Sequence, residues 1–142
     1  MGGGVLIAVK TNIPVRSSSS IEVKNFAGDV IRISIPLQIG PILKQLHIYC
    51  CYFPHGKFHV ESLCDCFDAI SNEILLHPDD HYFIIGDFNI TNCIWDWNGE
   101  VMTVRNFDDG NPGVESLFGF LNITDLKQFN RIPNGNGRYL DS

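Results

Sequence analysis

The sequence predicts an α/β chain, with strands and helices layered in an α+β manner. Three observations carry that prediction. Segments with the two-residue alternation of strands recur, the clearest being Val30–Leu37. One segment, Phe58–His77, repeats its apolar residues at helical spacing. Strand-like segments flank that helix on both sides, the order from which mixed layers are built.

Taken in order, Gly4–Lys10 reads as a first strand of continuous apolar character, and Thr11–Ser20 as a loop built on Asn12, Pro14 and a run of serines. Ile21–Lys24 is read as a short strand and Ala27-Gly28-Asp29 as a turn. In Val30–Leu37, Ile31, Ile33, Ile35 and Leu37 face one way and Arg32, Ser34 and Pro36 the other, which makes a half-buried strand. Gly40-Pro41 breaks it. Leu46–Phe53 is the next strand, stopped by Pro54-His55-Gly56. In the helix Phe58–His77, Leu63, Phe67, Ile70 and Ile74 share a face, Glu61, Asp65 and Asp68 lie on others, and Pro78 ends it. His81–Ile85 reads as a buried strand, Thr91–Gly113 as an irregular segment, Val114–Leu121 as a short helix and Ile123–Phe129 as a strand. Asn134-Gly135-Asn136-Gly137 is a turn signal, after which Arg138–Ser142 begins another strand.

The chain has 142 residues, 44% of them hydrophobic and 18% charged, which suits one globular domain and excludes disorder. No apolar run reaches the ~18–20 residues of a membrane span, and the first residues lack the basic start and cleavage site of a signal peptide. The expectation is an intracellular protein of the cytoplasm or nucleus, with no membrane partner. Cys50, Cys51, Cys64, Cys66 and Cys93 form no Cys-x-x-Cys pair, so reduced and mostly buried thiols are expected in place of a zinc site. Without a secretion signal, the triplets at Asn89 and Asn122 read as chance glycosylation matches. The net charge of −6 does not announce a nucleic-acid surface.

Chemistry concentrates at Gly86-Asp87-Phe88-Asn89, just past the end of an apolar strand. A carboxylate and a carboxamide two residues apart share one face if the chain stays extended. The first can orient or deprotonate a water, and the second can hydrogen-bond a phosphate oxygen without adding charge. The plainer reading of the same residues is a turn that satisfies its own backbone groups. Tyr52, in Tyr52-Phe53-Pro54, stands at a second strand end where its hydroxyl can meet a phosphate oxygen; it can equally be an amphipathic core tyrosine. Asp141, in Arg138-Tyr139-Leu140-Asp141, can orient an imidazole or be a surface carboxylate. The five histidines, His47, His55, His59, His77 and His81, read as ordinary strand, loop or helix-end residues.

In series these segments resemble the endonuclease/exonuclease/phosphatase superfamily. More narrowly, the chain resembles the apurinic-endonuclease-like domain that non-LTR retrotransposons encode upstream of a reverse transcriptase. The matching stretches are 2–9, 49–54, 83–89 with the nearby Trp95, 121–126 and 138–141, in the family's order. The resemblance implies a sandwich of two mixed β-sheets flanked by helices, with residues 1–142 as a single partial domain and both ends cut short. It implies that Tyr52 contacts the scissile phosphate, Asp87 orients or deprotonates the water, Asn89 binds phosphate or holds Asp87, and Asp141 pairs with a catalytic histidine. It also implies a Mg2+ or Mn2+ cofactor, DNA as substrate with Trp95 near it, and a reverse-transcriptase domain in the same polyprotein. The family's metal-binding glutamate and its Ser-Asp-His histidine have no counterpart in this sequence. A polypeptide without them is expected to have negligible nuclease activity, and one lacking sheet strands to be marginally stable with exposed edges. The competing expectations are a non-catalytic remnant or interaction module with the same sandwich, and another phosphoesterase of the superfamily acting on phosphoinositide or sphingolipid head groups. A flavodoxin-like nucleotide binder is excluded by the lack of a phosphate loop between strand and helix.

Overall fold

The computed structural model describes residues 4–20, 27–91, 93–105 and 110–130. Its elements are β1 (Ser17–Ser20), β2 (Asp29–Ile39), β3 (Ile42–Tyr52), α1 (His59–Leu76), β4 (His81–Asp87), β5 (Trp95–Trp97), β6 (Met102–Val104) and α2 (Pro112–Thr124). A four-stranded sheet runs in the order β1-β2-β3-β4, and β5 and β6 make a separate two-stranded ribbon. The mixed α/β class is as the sequence predicts.

β2 and β3 form a long antiparallel hairpin in which Ile39 pairs with Ile42 across Gly40-Pro41. Gly40 has φ 59, open to glycine, and the proline that follows fixes its own φ negative, which closes a two-residue loop. The hairpin extends both expected strands, which stopped at Leu37 and began at Leu46. Pro36 lies beyond the β1 ladder, which ends at Ser34, so it sits where β2 has no ladder partner on that side among the described residues and a proline is tolerated.

From the end of β3 the chain crosses through α1 and returns as β4, parallel to β3. The helix bears out the expected periodicity: Leu63, Phe67 and Ile70 are buried, with Cys66, and Phe58 and His77 flank it as caps. It covers one face of the sheet, where Val30, Tyr49 and Cys51 join Leu63, Cys66, Phe67 and Ile70 in a single core that also takes in Trp95, Met102, Val104, Val114, Leu117 and Phe120. α2 packs on α1, with the rings of Phe67 and Phe120 stacked 4.6 Å apart. The other sheet face keeps Phe83 and Ile85 partly open at 55% and 41% exposure.

Several expected elements are corrected. Gly4–Lys10 forms no strand with any described residue, although Val5, Ile7 and Val9 are half-buried in alternation with exposed neighbours. The serine run expected as loop is β1, paired antiparallel with Ile31–Ser34. A ladder uses only backbone groups, so an open β2 edge can recruit residues of poor strand propensity. The irregular segment Thr91–Gly113 holds the β5–β6 ribbon, turned by Asn98, whose side-chain oxygen accepts from the amides of Glu100 and Val101. Strands of three residues are too short to show a period. Ile123–Phe129 is not a strand: α2 continues through Ile123 and Thr124 and stops at Asp125, left-handed at φ 53. Only an isolated bridge between Met102 and Gln128 remains of it. The expected strands Ile21–Lys24 and Arg138–Ser142, and the turn Asn134–Gly137, lie outside the described residues. All five cysteines are free thiols, Cys51 and Cys66 buried and the others half-buried. No helix of the described residues is long and apolar enough to cross a membrane.

Candidate functional site

Tyr52 and Asp87 are the last residues of two adjacent parallel strands, and they pair with each other in the ladder. Residues paired across a sheet point to the same face. Both therefore stand on the face opposite α1, since their neighbours Cys51 and Gly86 belong to the helix side. The Phe53 amide donates to the Asp87 carbonyl at 2.9 Å, which carries the pairing one residue past β3. Asp29, the first residue of β2, pairs with Tyr52 on its other side. Two carboxylates thus flank one phenol along a single row, with Asp29 exposed and Tyr52 and Asp87 half-buried.

Gly86 is dictated by this close approach. A Cβ at position 86 would lie 2.1 Å from the Cys51 carbonyl oxygen. Beyond Asp87 the chain bends sharply. Asn89 takes φ 49, a left-handed conformation that asparagine tolerates. Its backbone amide donates to Asp87 Oδ1 at 3.1 Å, and its Nδ2 donates to the Phe53 carbonyl at 3.0 Å. The chain past Asp87 is therefore not extended, and the self-satisfying turn is present. Asp87 and Asn89 still meet, through a hydrogen bond across the bend. The Asn89 amide oxygen and the second Asp87 oxygen hold the remaining acceptor capacity of the turn.

The turn is held from below. Phe88 packs into the core, its ring 6.0 Å from that of Phe53 and 5.8 Å from that of Phe67. His59, at the start of α1, is 9% exposed and places Nε2 2.8 Å from the Phe88 carbonyl oxygen. From the sequence His59 is expected to be an ordinary helix-end residue. The signal was present, because His59 stands one helical repeat before Leu63 and Phe67 and so extends the buried stripe.

Trp95 does not reach this site. It is 7% exposed within the core cluster, and its indole Nε1 is buried with no hydrogen-bond partner among the described residues. A ring in the core cannot stack on a substrate, so Trp95 is corrected to a packing residue. Asp141 lies outside the described residues.

A second cluster of polar residues lies on the helix side of the same sheet. His47 is 4% exposed; its Nδ1 is 2.8 Å from Ser34 Oγ and its Nε2 3.2 Å from Asp80 Oδ2. Arg32 reaches both His47 and Glu73, and Glu73 also accepts from the Tyr49 hydroxyl. Burial and the Glu73 carboxylate push the Tyr49 phenol well above its ordinary range. Burial, with the charges of Glu73 and Asp80, pushes Tyr82 up to about 12.

For a divalent cation the donor set at the turn is small. Mg2+ takes six oxygen ligands, commonly one or two carboxylates with water and substrate phosphate. Asp87 brings one carboxylate, already accepting from Asn89, and the described residues contain no group of three His, Cys, Asp or Glu side chains placed to hold a metal. The described residues do not fit a resident metal by themselves. Comparison with known protein families, with curated proteins and with solved structures finds no match for the chain.

Proposed function

We propose that this chain carries the phosphate-binding and water-orienting corner of a phosphodiesterase domain resembling the DNA-nicking endonucleases of non-LTR retrotransposons. The observation that supports it is the pairing of Tyr52 with Asp87 at two parallel strand ends, with Asn89 folded against them. Strand ends of this kind, where the chain leaves the sheet, are where open α/β folds bind ligands. In this reading the Tyr52 hydroxyl donates to a phosphate oxygen, the Asp87 carboxylate orients the attacking water, and Asn89 holds Asp87 in place. DNA is the substrate of the complete domain, a reverse-transcriptase domain its neighbour in one polyprotein, and Mg2+ or Mn2+ its cofactor with ligands beyond those described.

The polypeptide itself is proposed to be nearly inactive. Loss of one electrostatic group commonly costs about 10²–10³ in rate, and this sequence offers neither the family's metal-binding glutamate nor its histidine. The test has two arms. Thymidine 5′-phosphate added to the 15N-labelled chain should shift the signals of Tyr52, Asp87 and Asn89, and Tyr52→Phe should remove the response. Supercoiled plasmid with Mg2+ or Mn2+ should remain intact. An absence of phosphate-dependent shifts at these residues would overturn the phosphodiester reading. Nicking abolished by Asp87→Ala would overturn the proposed inactivity.

A second reading, a non-catalytic interaction module, is favoured by one observation: the Asp87–Asn89 turn satisfies its own backbone as an ordinary bend does. The same titration decides between the two.

A further inference from the structure

Asp87 is central to the proposed phosphodiesterase corner, and its carboxylate accepts from one peptide group. The carbonyl of Phe88 and the amide N–H of Asn89 belong to the same planar unit and point in opposite directions. The N–H donates to Asp87 Oδ1 at 3.1 Å. The carbonyl oxygen lies 2.8 Å from His59 Nε2. A carbonyl only accepts, so the ring nitrogen carries the hydrogen. The peptide is thereby gripped at its oxygen by α1, and its free rotation is removed at the point that fixes the Asp87 side chain.

We infer that His59 is a positioning residue for Asp87, acting through the Phe88–Asn89 peptide. Three features carry the inference. His59 is buried, so its donor is not spent on solvent. The flanking Phe88 ring packs against those of Phe53 and Phe67, which anchors the turn on its core side. Asn89 is left-handed, a conformation that needs support from its neighbours, and the hydrogen bond from Nδ2 to the Phe53 carbonyl supports only its side chain. A donor on the carbonyl also polarises the peptide and strengthens its N–H as a donor to the carboxylate. His55, whose ring lies 5.8 Å from that of His59, borders the same spot from the loop after β3.

The inference rests on the phosphodiester reading for its purpose but not for its test. The experiment compares the full chain with His59→Gln, which can still donate, and His59→Leu, which cannot. The readouts are the melting midpoint, the chemical shift and hydrogen-exchange rate of the Asn89 amide, and binding of thymidine 5′-phosphate. In His59→Leu the Asn89 amide proton is expected to move upfield and exchange about tenfold faster, the factor one intramolecular hydrogen bond carries. His59→Gln is expected to restore both. Binding of the nucleotide should weaken by about tenfold in the leucine variant only. A folded His59→Leu chain with an unchanged Asn89 amide would overturn the inference and leave His59 as a partner of the Phe88 carbonyl alone. If the leucine variant does not fold, the glutamine variant decides. Wild-type Asn89 behaviour supports a donated hydrogen bond, and its loss in a folded chain overturns it. If the wild type does not bind the nucleotide, the phosphodiester reading fails, while the Asn89 amide still reports on His59.

Discussion

The middle and the end of β3 carry similar chemistry and put it to opposite use. At its middle, His47 lies between Ser34 and Asp80, the residue types of a nucleophilic triad at hydrogen-bonding distances. At its end, Tyr52 stands beside Asp87 with Asn89 folded over. The first group looks more catalytic on paper. Yet Ser34 and His47 are each 4% exposed, and both ring nitrogens are taken. Arg32, Glu73 and Tyr49 pack around them, with only the Arg32 Nε left without a partner among the described residues, so no substrate atom can reach the serine. The second group is half open, with acceptor capacity left over. Accessible acceptors suit the proposed site, while burial and mutual pairing make the first group a fastening between β2, β3, α1 and the entry to β4.

That contrast can be broken in three ways. The largest effect is expected at the open end, where the backbone alone is responsible. Gly86→Ala would push a methyl group into the Cys51 carbonyl and should cost about 3 kcal/mol by chemical denaturation. A variant as stable as the wild type would mean that β3 and β4 do not meet as described. Next, Glu73→Ala removes the acceptor shared by Arg32 and Tyr49 and should cost about 2 kcal/mol, since both partners of the ion pair keep some contact with solvent. An equal loss from Asp87→Ala would erase the distinction between a fastening and a site.

The smallest effect is the dependence on pH, and it should belong to the closed group. Burial opposes ionisation of Asp80, but the Gln45 amide and the His47 ring outweigh it and hold the carboxyl below its usual range. A carboxyl lowered in the folded state contributes stability that is present above about pH 4 and lost as the pH falls further. Tyr82 is raised, so its contribution is whole below about pH 10 and lost as the pH climbs toward its folded value of about 12. Denaturation midpoints across pH should fall at both limits, and Asp80→Asn should flatten the acid side alone.

The parts legible in the sequence were those with a long period or a strong stop signal. Eighteen helical residues ending before Pro78 announce α1, and the alternation of Ile31, Ile33 and Ile35 announces β2. Ser17–Ser20 was hidden because its strand state comes from the exposed ladder of β2, which no local propensity encodes. The β5–β6 ribbon was hidden by its brevity, and the end of α2 because Ile123 and Thr124 suit a strand as well as a helix. At the site, Asp87, Asn89 and Tyr52 could be named from their places after apolar runs. Asp29 could not, because its nearness to that corner depends on how β2 is laid against it, and His59 was legible only as an extension of the buried stripe of α1, not as a partner of the turn.

Parity gives the Gly86-Asp87 step a second meaning. In β4 the residues 82, 84 and 86 face the helix and 81, 83, 85 and 87 face away. Tyr82, Phe83, Ile84 and Ile85 are apolar enough for either side, so most of the strand does not say which way it should lie. A slip of one residue exchanges every side chain between the faces. It would send the carboxylate of Asp87 into the core and ask a side chain to fit where only a hydrogen stands against Cys51. The dipeptide that would present the reactive group is thus also the frame marker of its strand. Selection for orderly pairing and selection for chemistry would leave the same two letters in the sequence.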